Sequence, residues 1–477
     1  MGTPTEGPAS RDVRVAVEGC GHGTLNAIYA SVERSCKERG WDGVDVLIIG
    51  GDFQAVRNAA DLTVMSVPAK YREMADFHEY YSGARKAPYL TVFVAGNHEA
   101  SSHLWELYYG GWVAPNIYYM GAANILRLGP LRIAGMSGIW KGRDYRQPHH
   151  ERLPFNQDDT KTFYHVREFD VRKLLQVRTQ VDIGISHDWP RAIEKHGDQR
   201  SLFRMKPDFE MESQEGTLGN PAAEYVMDRL RPPYWFSAHL HCKFSAIKNY
   251  DAPGPVQPVE PPVLAPTVPA PATSNPDEIS LDLDDEDNNA PQPPTKPTTN
   301  PDEIPLSDDE DVTTQPTTQP TPQPAPQTTA PDTTTDVETL RSLLPPSFAR
   351  PSNLPPGQPV PSTIPNRAVR FLALDKCLPG RKFLQLLSLP SSSSSNPPFK
   401  LQYDPEWLAI TRAFHPFLNI GERNVPVPPD KGEAYYGPLI DKEMAWVEEN
   451  VVKKGKLGVP EDFVVTAPVY VPDGEVL

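Results

Sequence analysis

The chain has 477 residues, 46 of them basic and 62 acidic, for a net charge of −16, and 55 are proline. Residues 251 to 350 hold 23 of those prolines and 18 acidic against three basic groups, so one block carries nearly all the excess charge and the rest is close to neutral. A uniformly acidic protein is excluded, and no run of 18 apolar residues exists to form a membrane-spanning helix. Met1 to Ser10 is polar and reads as neither a secretory leader nor a myristoylation signal, since Glu6 stands where Ser or Thr is required. Cys20, Cys36, Cys242 and Cys377 are too few for a disulfide scaffold and too far apart for a zinc finger, which predicts a reducing compartment, cytosol or nucleus.

From Asp12 to Tyr250 the pattern alternates between strand and helix. Val13 to Val17 is a β-branched run broken by Gly19, Gly21 and Gly23. Leu25, Ile28, Tyr29, Val32 and Cys36 then recur at helical spacing, and the helix is expected to stop at Gly40. Val44 to Ile49, Tyr89 to Ala95, Leu131 to Met136 and Val181 to Ile185 are further apolar runs of strand length, and Tyr234 to Phe236 starts another. Runs of this kind suit strands buried on both faces between layers of helix.

Residues 251–366 are Pro, Thr, Gln and acid with almost no aromatics, so they are predicted to form a disordered linker. Within them Asn275-Pro-Asp-Glu-Ile279 repeats as Asn300-Pro-Asp-Glu-Ile304, each copy followed by acids, which suggests a duplicated short motif for protein partners. Order is expected to resume at Arg367. Val369 to Leu374 and Phe383 to Leu389 read as strands, Asp404-Pro405-Glu406 as a helix start, and Asp441 to Lys454 as a second helix. The domains are therefore 12–250, 251–366 and 367–465, the last a mostly helical extension docking on the first.

Five of the twelve histidines stand where strands end. The five points are Cys20-Gly-His22, Gly51-Asp52, Gly96-Asn97-His98-Glu99, Ser186-His187 and His239-Leu-His241. Open α/β folds place ligand crevices at the carboxyl ends of strands. Imidazoles, one carboxylate, an amide oxygen and one thiol form a set too rich in nitrogen for Ca2+ or Mg2+, and it suits Zn2+, Fe2+ or Mn2+. There are donors enough for two metals, with Asp52 able to bridge them and His98 left over as a proton donor. The remaining His78, His103, His196 and His415 read as surface or satisfied residues, Trp407 and Trp446 as core anchors, and His149 and His150 as loop residues.

The pattern resembles the calcineurin-like metallophosphoesterase superfamily, with Cys20 in place of its first Asp, Ala55 in place of a second acid and Ala238 in place of a Gly. Cys20-x-His22 with Gly51-Asp-Phe-Gln-Ala-Val-Arg-Asn58 and Gly96-Asn-His-Glu99 is similar to the RNA lariat debranching enzymes. Ala114 to Tyr119, Gly138-Ile139, Tyr164-His-Val-Arg167, Phe371 to Leu378 and Tyr403 to Leu408 extend that resemblance.

What the resemblance implies is an α/β fold, a four-layer α/β/β/α sandwich, hydrolysing the 2′–5′ phosphodiester at the branch point of excised intron lariats in the nucleus. Cys20, His22 and His241 would hold one divalent metal, Asn97, His187 and His239 a second, and Asp52 both. His98 would protonate the leaving 2′-oxygen. The loop from Ser137 to Arg167 would grip the branched RNA through basic and aromatic residues including Lys141, Tyr164, His165 and Arg167. Two other readings stay open: a phosphomonoesterase or protein phosphatase of the same superfamily, and a scaffold that kept the sandwich and lost catalysis.

Overall fold

Strand β1, Val13–Glu18, is buried on both faces, and alternation along it separates two apolar clusters. Val13, Val15 and Val17 point one way, and Ala16 points the other, towards Leu25, Ile28, Tyr29 and Val32 of helix α1, Leu25–Glu38. The same period of two runs through β2 (Val46–Ile49) and β3 (Thr91–Phe93), so one sheet faces a helical layer on its outside and a second sheet on its inside. The computed structural model describes residues 11–250, 359–390 and 398–472.

Ten more strands complete the two sheets among these residues. In chain order they are β4 (Gly111–Ala114), β5 (Ile117–Tyr119), β6 (Ala123–Leu128), β7 (Leu131–Met136) and β8 (Ile183–Ser186). After them come β9 (Tyr234–Ser237), β10 (Phe244–Asn249), β11 (Ala368–Ala373), β12 (Leu384–Leu389) and β13 (Leu401–Tyr403). The first sheet runs β12-β1-β2-β3-β5-β4 and the second β10-β11-β9-β8-β7-β6-β13. Ile133, Ile183, Ile185 and Phe236 of the second sheet meet Val15, Val17, Ile48 and Val92 of the first, forming the middle of the sandwich. Trp235, Ala134 and Met136 pack outward against helices α2 (Glu168–Leu175), α3 (Pro221–Leu230) and α4 (Pro405–Phe414). Helix, sheet, sheet, helix is the expected four-layer order.

The carboxyl-terminal residues are built into both sheets. β11 lies between β9 and β10, β12 pairs antiparallel with β1, and β13 pairs antiparallel with β6. The extension supplies three strands as well as helices, so "mostly helical" understates it. Helix α5 spans Glu433–Val447, and a π-helical turn continues it over Glu448–Val452. It begins eight residues before the expected Asp441 because Pro438 is accommodated inside the helix, where a sequence reading places a break. Trp446 is 43% exposed, with Arg412 stacked 3.6 Å from its ring, and is not a core anchor. Trp407 is buried as expected.

The predicted disordered linker lies outside the described residues as far as 358. Its last eight residues are ordered: Ile364 is fully buried, Arg229 donates to the Pro359 carbonyl at 2.9 Å, and Asn366 Nδ2 donates to the Arg231 carbonyl at 2.8 Å. Proline-rich composition hid these anchors. No helix among the described residues is long and apolar enough to cross a membrane.

Candidate metal centre

β1, β2 and β3 are mutually parallel, as are β7, β8, β9 and β11, so each sheet turns a row of carboxyl ends to one edge. The loops leaving those ends meet. The His239 backbone N–H, from the second sheet, donates to Cys20 Sγ of the first at 3.2 Å. One ligand atom each from Cys20, His22, Asp52 and His241 lies within 4.8 Å of the others. His22 Nε2 stands 3.3 Å from His241 Nε2 and 3.6 Å from Asp52 Oδ2.

Asp52 turns its other oxygen to a second group. Oδ1 lies 3.3 Å from His187 Nε2, which in turn lies 3.3 Å from Asn97 Oδ1. His187 Nδ1 faces the Gly50 carbonyl at 2.9 Å and must carry the proton to bond it, so Nε2 presents a lone pair. Three electron-rich atoms therefore converge with no proton between them. The His239 ring packs 4.9 Å from that of His187, and its buried Nδ1 has no hydrogen-bond partner, nor does Nδ1 of His241. Buried lone pairs left unpaired at this density fit a cation.

Backbone approach makes the cluster possible. A Cβ on Gly51 would lie 2.1 Å from His187 Nδ1, and one on Gly96 would lie 2.1 Å from Asp52 Oδ1. Glu99 then ties the two loops together. Its carboxylate accepts the backbone N–H groups of Phe53 at 2.8 Å, Gln54 at 2.8 Å and Gly96 at 3.0 Å. The sequence motif contained Glu99, but nothing in its spacing revealed that role. Gln54 was also missed. Its side-chain amide nitrogen faces His22 Nδ1 at 3.4 Å and so touches a candidate ligand from behind.

Charge in the pocket is settled by burial and by Asp52. Burial pushes the Asp52 carboxyl up, but the surrounding imidazoles of His187, His98, His22 and His239 outweigh it and hold the group far below the usual carboxylate range. Burial lowers His22 to about 4 and His239 to about 3, and depresses His187 and His241, so all four imidazoles are neutral at physiological pH. The Cys20 thiol is pushed well up by burial and by the Asp52 charge. Burial, helped by Asp52, pushes Glu99 up to about 8 against its three hydrogen bonds. Glu18, two residues before Cys20, is fully buried with both carboxyl oxygens unpartnered, and burial raises it too.

His98 is outside the ligand cluster. Its backbone N–H donates to Asp52 Oδ1 at 2.9 Å, and its half-buried ring stands edge-on to His22 at 5.3 Å. The Ser137–Arg167 loop needs correction. Lys141 is half-buried and Arg143, Arg146 and Lys161 are exposed, but Tyr164, His165 and Arg167 face inward. Arg167 is 1% exposed and donates to Glu151 Oε1 at 2.6 Å and the Asp144 carbonyl at 2.7 Å. His165 Nδ1 meets Asp144 Oδ2 at 2.7 Å. These three brace the loop from within and are not its contact surface. His149 and His150 are buried as well, covered by the segment around Ile420 to Arg423; Gly421 N–H donates to the His149 carbonyl at 2.7 Å.

Residues 13–243 match the calcineurin-like phosphoesterase family, and residues 366–476 match the lariat debranching enzyme C-terminal domain. The chain is 40% identical to the lariat debranching enzyme of Schizosaccharomyces pombe, over 97% of this chain and 91% of that one. It is 34% identical to the Arabidopsis thaliana enzyme of the same name, over 97% of this chain and 81% of that protein. Against the Homo sapiens lariat debranching enzyme it is 36% identical, over 96% of this chain and 64% of the human one. With a candidate metal-binding pocket where two sheets meet and relatives that match almost the whole of this chain, the chain belongs to the lariat debranching enzymes, phosphodiesterases built on the calcineurin-like metallophosphoesterase fold.

Proposed function

We propose that this chain hydrolyses the 2′–5′ phosphodiester at the branch point of excised intron lariat RNA, leaving linear RNA with a free 2′-hydroxyl and a 5′-phosphate. The observation that carries this reading is the gathering of six polar side chains about Asp52 in a chain matched over nearly all its length by relatives that bear that name. A nuclear location fits such a substrate.

Cys20, His22 and His241 suit one divalent cation and Asn97, His187 and His239 another, with Asp52 common to both; Fe2+, Zn2+ and Mn2+ match the donors. Such a pair supplies Lewis acidity to the phosphoryl oxygens and a nucleophile at neutral pH. The protein does the rest. Neutral imidazoles are ready to ligate without first losing a proton. Glu99 and the close-packed glycines hold the two loops in register. His98, whose ring lies beside that of His22 and outside the cluster, would hand a proton to the departing 2′-oxygen. The exposed cations of the Ser137–Arg167 loop, with half-buried Trp140, Tyr145 and Phe155 between them, suit a splayed single strand, and the third arm of a branch distinguishes substrate from ordinary RNA.

The test incubates the purified full chain with a synthetic branched RNA, a linear 3′–5′ RNA and p-nitrophenyl phosphate, alongside metal analysis. Cleavage confined to the branched RNA is expected. Faster turnover of p-nitrophenyl phosphate would instead make the protein a phosphomonoesterase. Less than one equivalent of metal, with no hydrolysis after Mn2+, Fe2+ or Zn2+ is added, would make it a scaffold.

A further inference from the structure

The Ser137–Arg167 loop is gripped near its middle by the segment that joins α4 to α5. Phe417, Leu418 and Val427 of that segment pack on the same apolar cluster as Phe169 of α2, which brings it alongside the loop. His149 and Ile420 form an isolated parallel bridge, and the Gly421 N–H donates to the His149 carbonyl at 2.7 Å. Gly421 permits the approach: its φ is +76°, and a Cβ there would lie 3.0 Å from Arg152 Nε. The His149 ring meanwhile meets Oδ2 of Asp170, on α2, through Nε2 at 2.7 Å. One loop residue is thus pinned by two separate elements.

Two side-chain pairs add to this seam, and they differ in weight. Arg152 and Glu422 pair in the open, with side chains 61% and 58% exposed, and a solvated pair of that kind contributes little. Arg423 instead reaches the buried His150, with its Nη2 2.9 Å from Nε2. A guanidinium can only donate, so Nε2 accepts and the ring proton sits on Nδ1, 3.2 Å from the Pro148 carbonyl that takes it. The Glu151 carboxylate, 3.9 Å from Nε2, is too distant to compete for it. Without Arg423 a buried lone pair loses its donor, and a loop that moves outward recovers that bond from water.

We propose that Arg423 is a positioning residue for the branched substrate: through His150 it holds the Ser137–Arg167 loop in the conformation that receives RNA. The segment between α4 and α5 then sets affinity without touching the reacting atoms. This rests on the branched-RNA reading above. A loop fixed before RNA arrives spares the cost of ordering it during binding, a cost that would otherwise be subtracted from affinity.

The test compares the full-length parent with Arg423→Ala, Arg423→Lys and, as a control on the exposed pair, Glu422→Gln. Backbone hydrogen exchange around His149 and His150 is followed without RNA, and KM and kcat are measured on a synthetic branched RNA, with melting midpoints and metal content as controls. Arg423→Ala should speed exchange there and raise KM by about two- to tenfold, the loss expected for one hydrogen bond, while kcat and metal content stay near those of the parent. Arg423→Lys, which still donates, should recover part of both effects, and Glu422→Gln should show neither. Faster exchange with an unchanged KM would overturn the proposal, since the contact would then serve the fold alone. A raised KM with parental exchange would overturn it as well, and would mean that Arg423 touches RNA directly. Failure of the parent to cleave branched RNA would instead sink the functional reading, and the exchange rates would still report whether Arg423 holds the loop.

Discussion

His22, Asp52, His239 and His241 all hold positive φ, at 40°, 45°, 63° and 47°. For residues with a Cβ this conformation costs on the order of 1–3 kcal/mol each, and it persists only where the surroundings over-determine it. The strained residues are themselves candidate ligands, whereas the sequence showed only the glycines beside them. Gly96→Ala tests how tightly the pocket is filled. With a methyl group aimed at Asp52 Oδ1 and space for none, metal content and branched-RNA cleavage should fall together by about a hundredfold or more while the far-ultraviolet spectrum is retained. Cys20 makes a separate prediction. Its buried thiol is protonated before metal arrives, whereas the imidazoles are not, so metal binding near pH 7 should release a proton that calorimetry in buffers of different ionisation enthalpy detects. Cys20→Asp should abolish that release and shift preference towards Mn2+; an unchanged metal profile would mean the thiol does not set it.

At the scale of elements, legibility followed burial. β1, β2, β7 and β8 were readable because both faces are buried and their apolar runs are continuous. β10 and β13 were not, since β10 alternates buried with exposed positions beside the linker and β13 has three residues. The inward turn of Tyr164, His165 and Arg167 was equally invisible, because Arg167 finds its partner Glu151 across the loop and not in a local pattern. The start of α4 was legible: Asp404 caps it by accepting from Trp407 N–H at 3.0 Å. The sequence could not show that the same carboxylate takes Arg132 at 2.8 Å on both oxygens and Arg127 at 2.7 Å, fastening α4 to β6 and β7. Burial alone would raise Asp404, but the two guanidinium groups win and its carboxyl lies below the ordinary range. Its contribution is therefore intact above about pH 4, the unfolded carboxylate value, and fades as the pH falls below that. Asp404→Asn should cost about 3–5 kcal/mol at pH 7, as expected for a broken buried pair, and the gap between variant and parent should narrow on acidification in chemical denaturation. A constant gap would place the stabilisation elsewhere.

Across the whole molecule, the acidic insert separates two strands that are antiparallel neighbours, Asn249 pairing with Ala368 and Tyr250 N–H donating to the Arg367 carbonyl at 2.9 Å. Loop closure grows slowly with length, about 0.6 kcal/mol for each doubling, so a long excursion between paired ends is cheap. Replacing residues 255–351 with a short Gly-Ser bridge should leave the melting midpoint and branched-RNA cleavage close to those of the parent. Extending the deletion through Asn366 removes the buried Ile364 side chain, worth about 1.5–3 kcal/mol, and should lower the midpoint measurably. Equal loss from both deletions would show that the insert itself supports the fold.

That β11, β12 and β13 finish both sheets has a bearing on synthesis. A ribosome that has released residue 250 has delivered most of the catalytic loops, yet β1, β6 and β9 still show raw edges to the cytosol. The nascent chain must wait through the whole proline-rich stretch before Leu401–Tyr403 emerges to close the last of them. A premature stop anywhere in the insert would thus yield not a working fragment with a missing tail but a sticky half-barrier of strands, destined for chaperones or proteases.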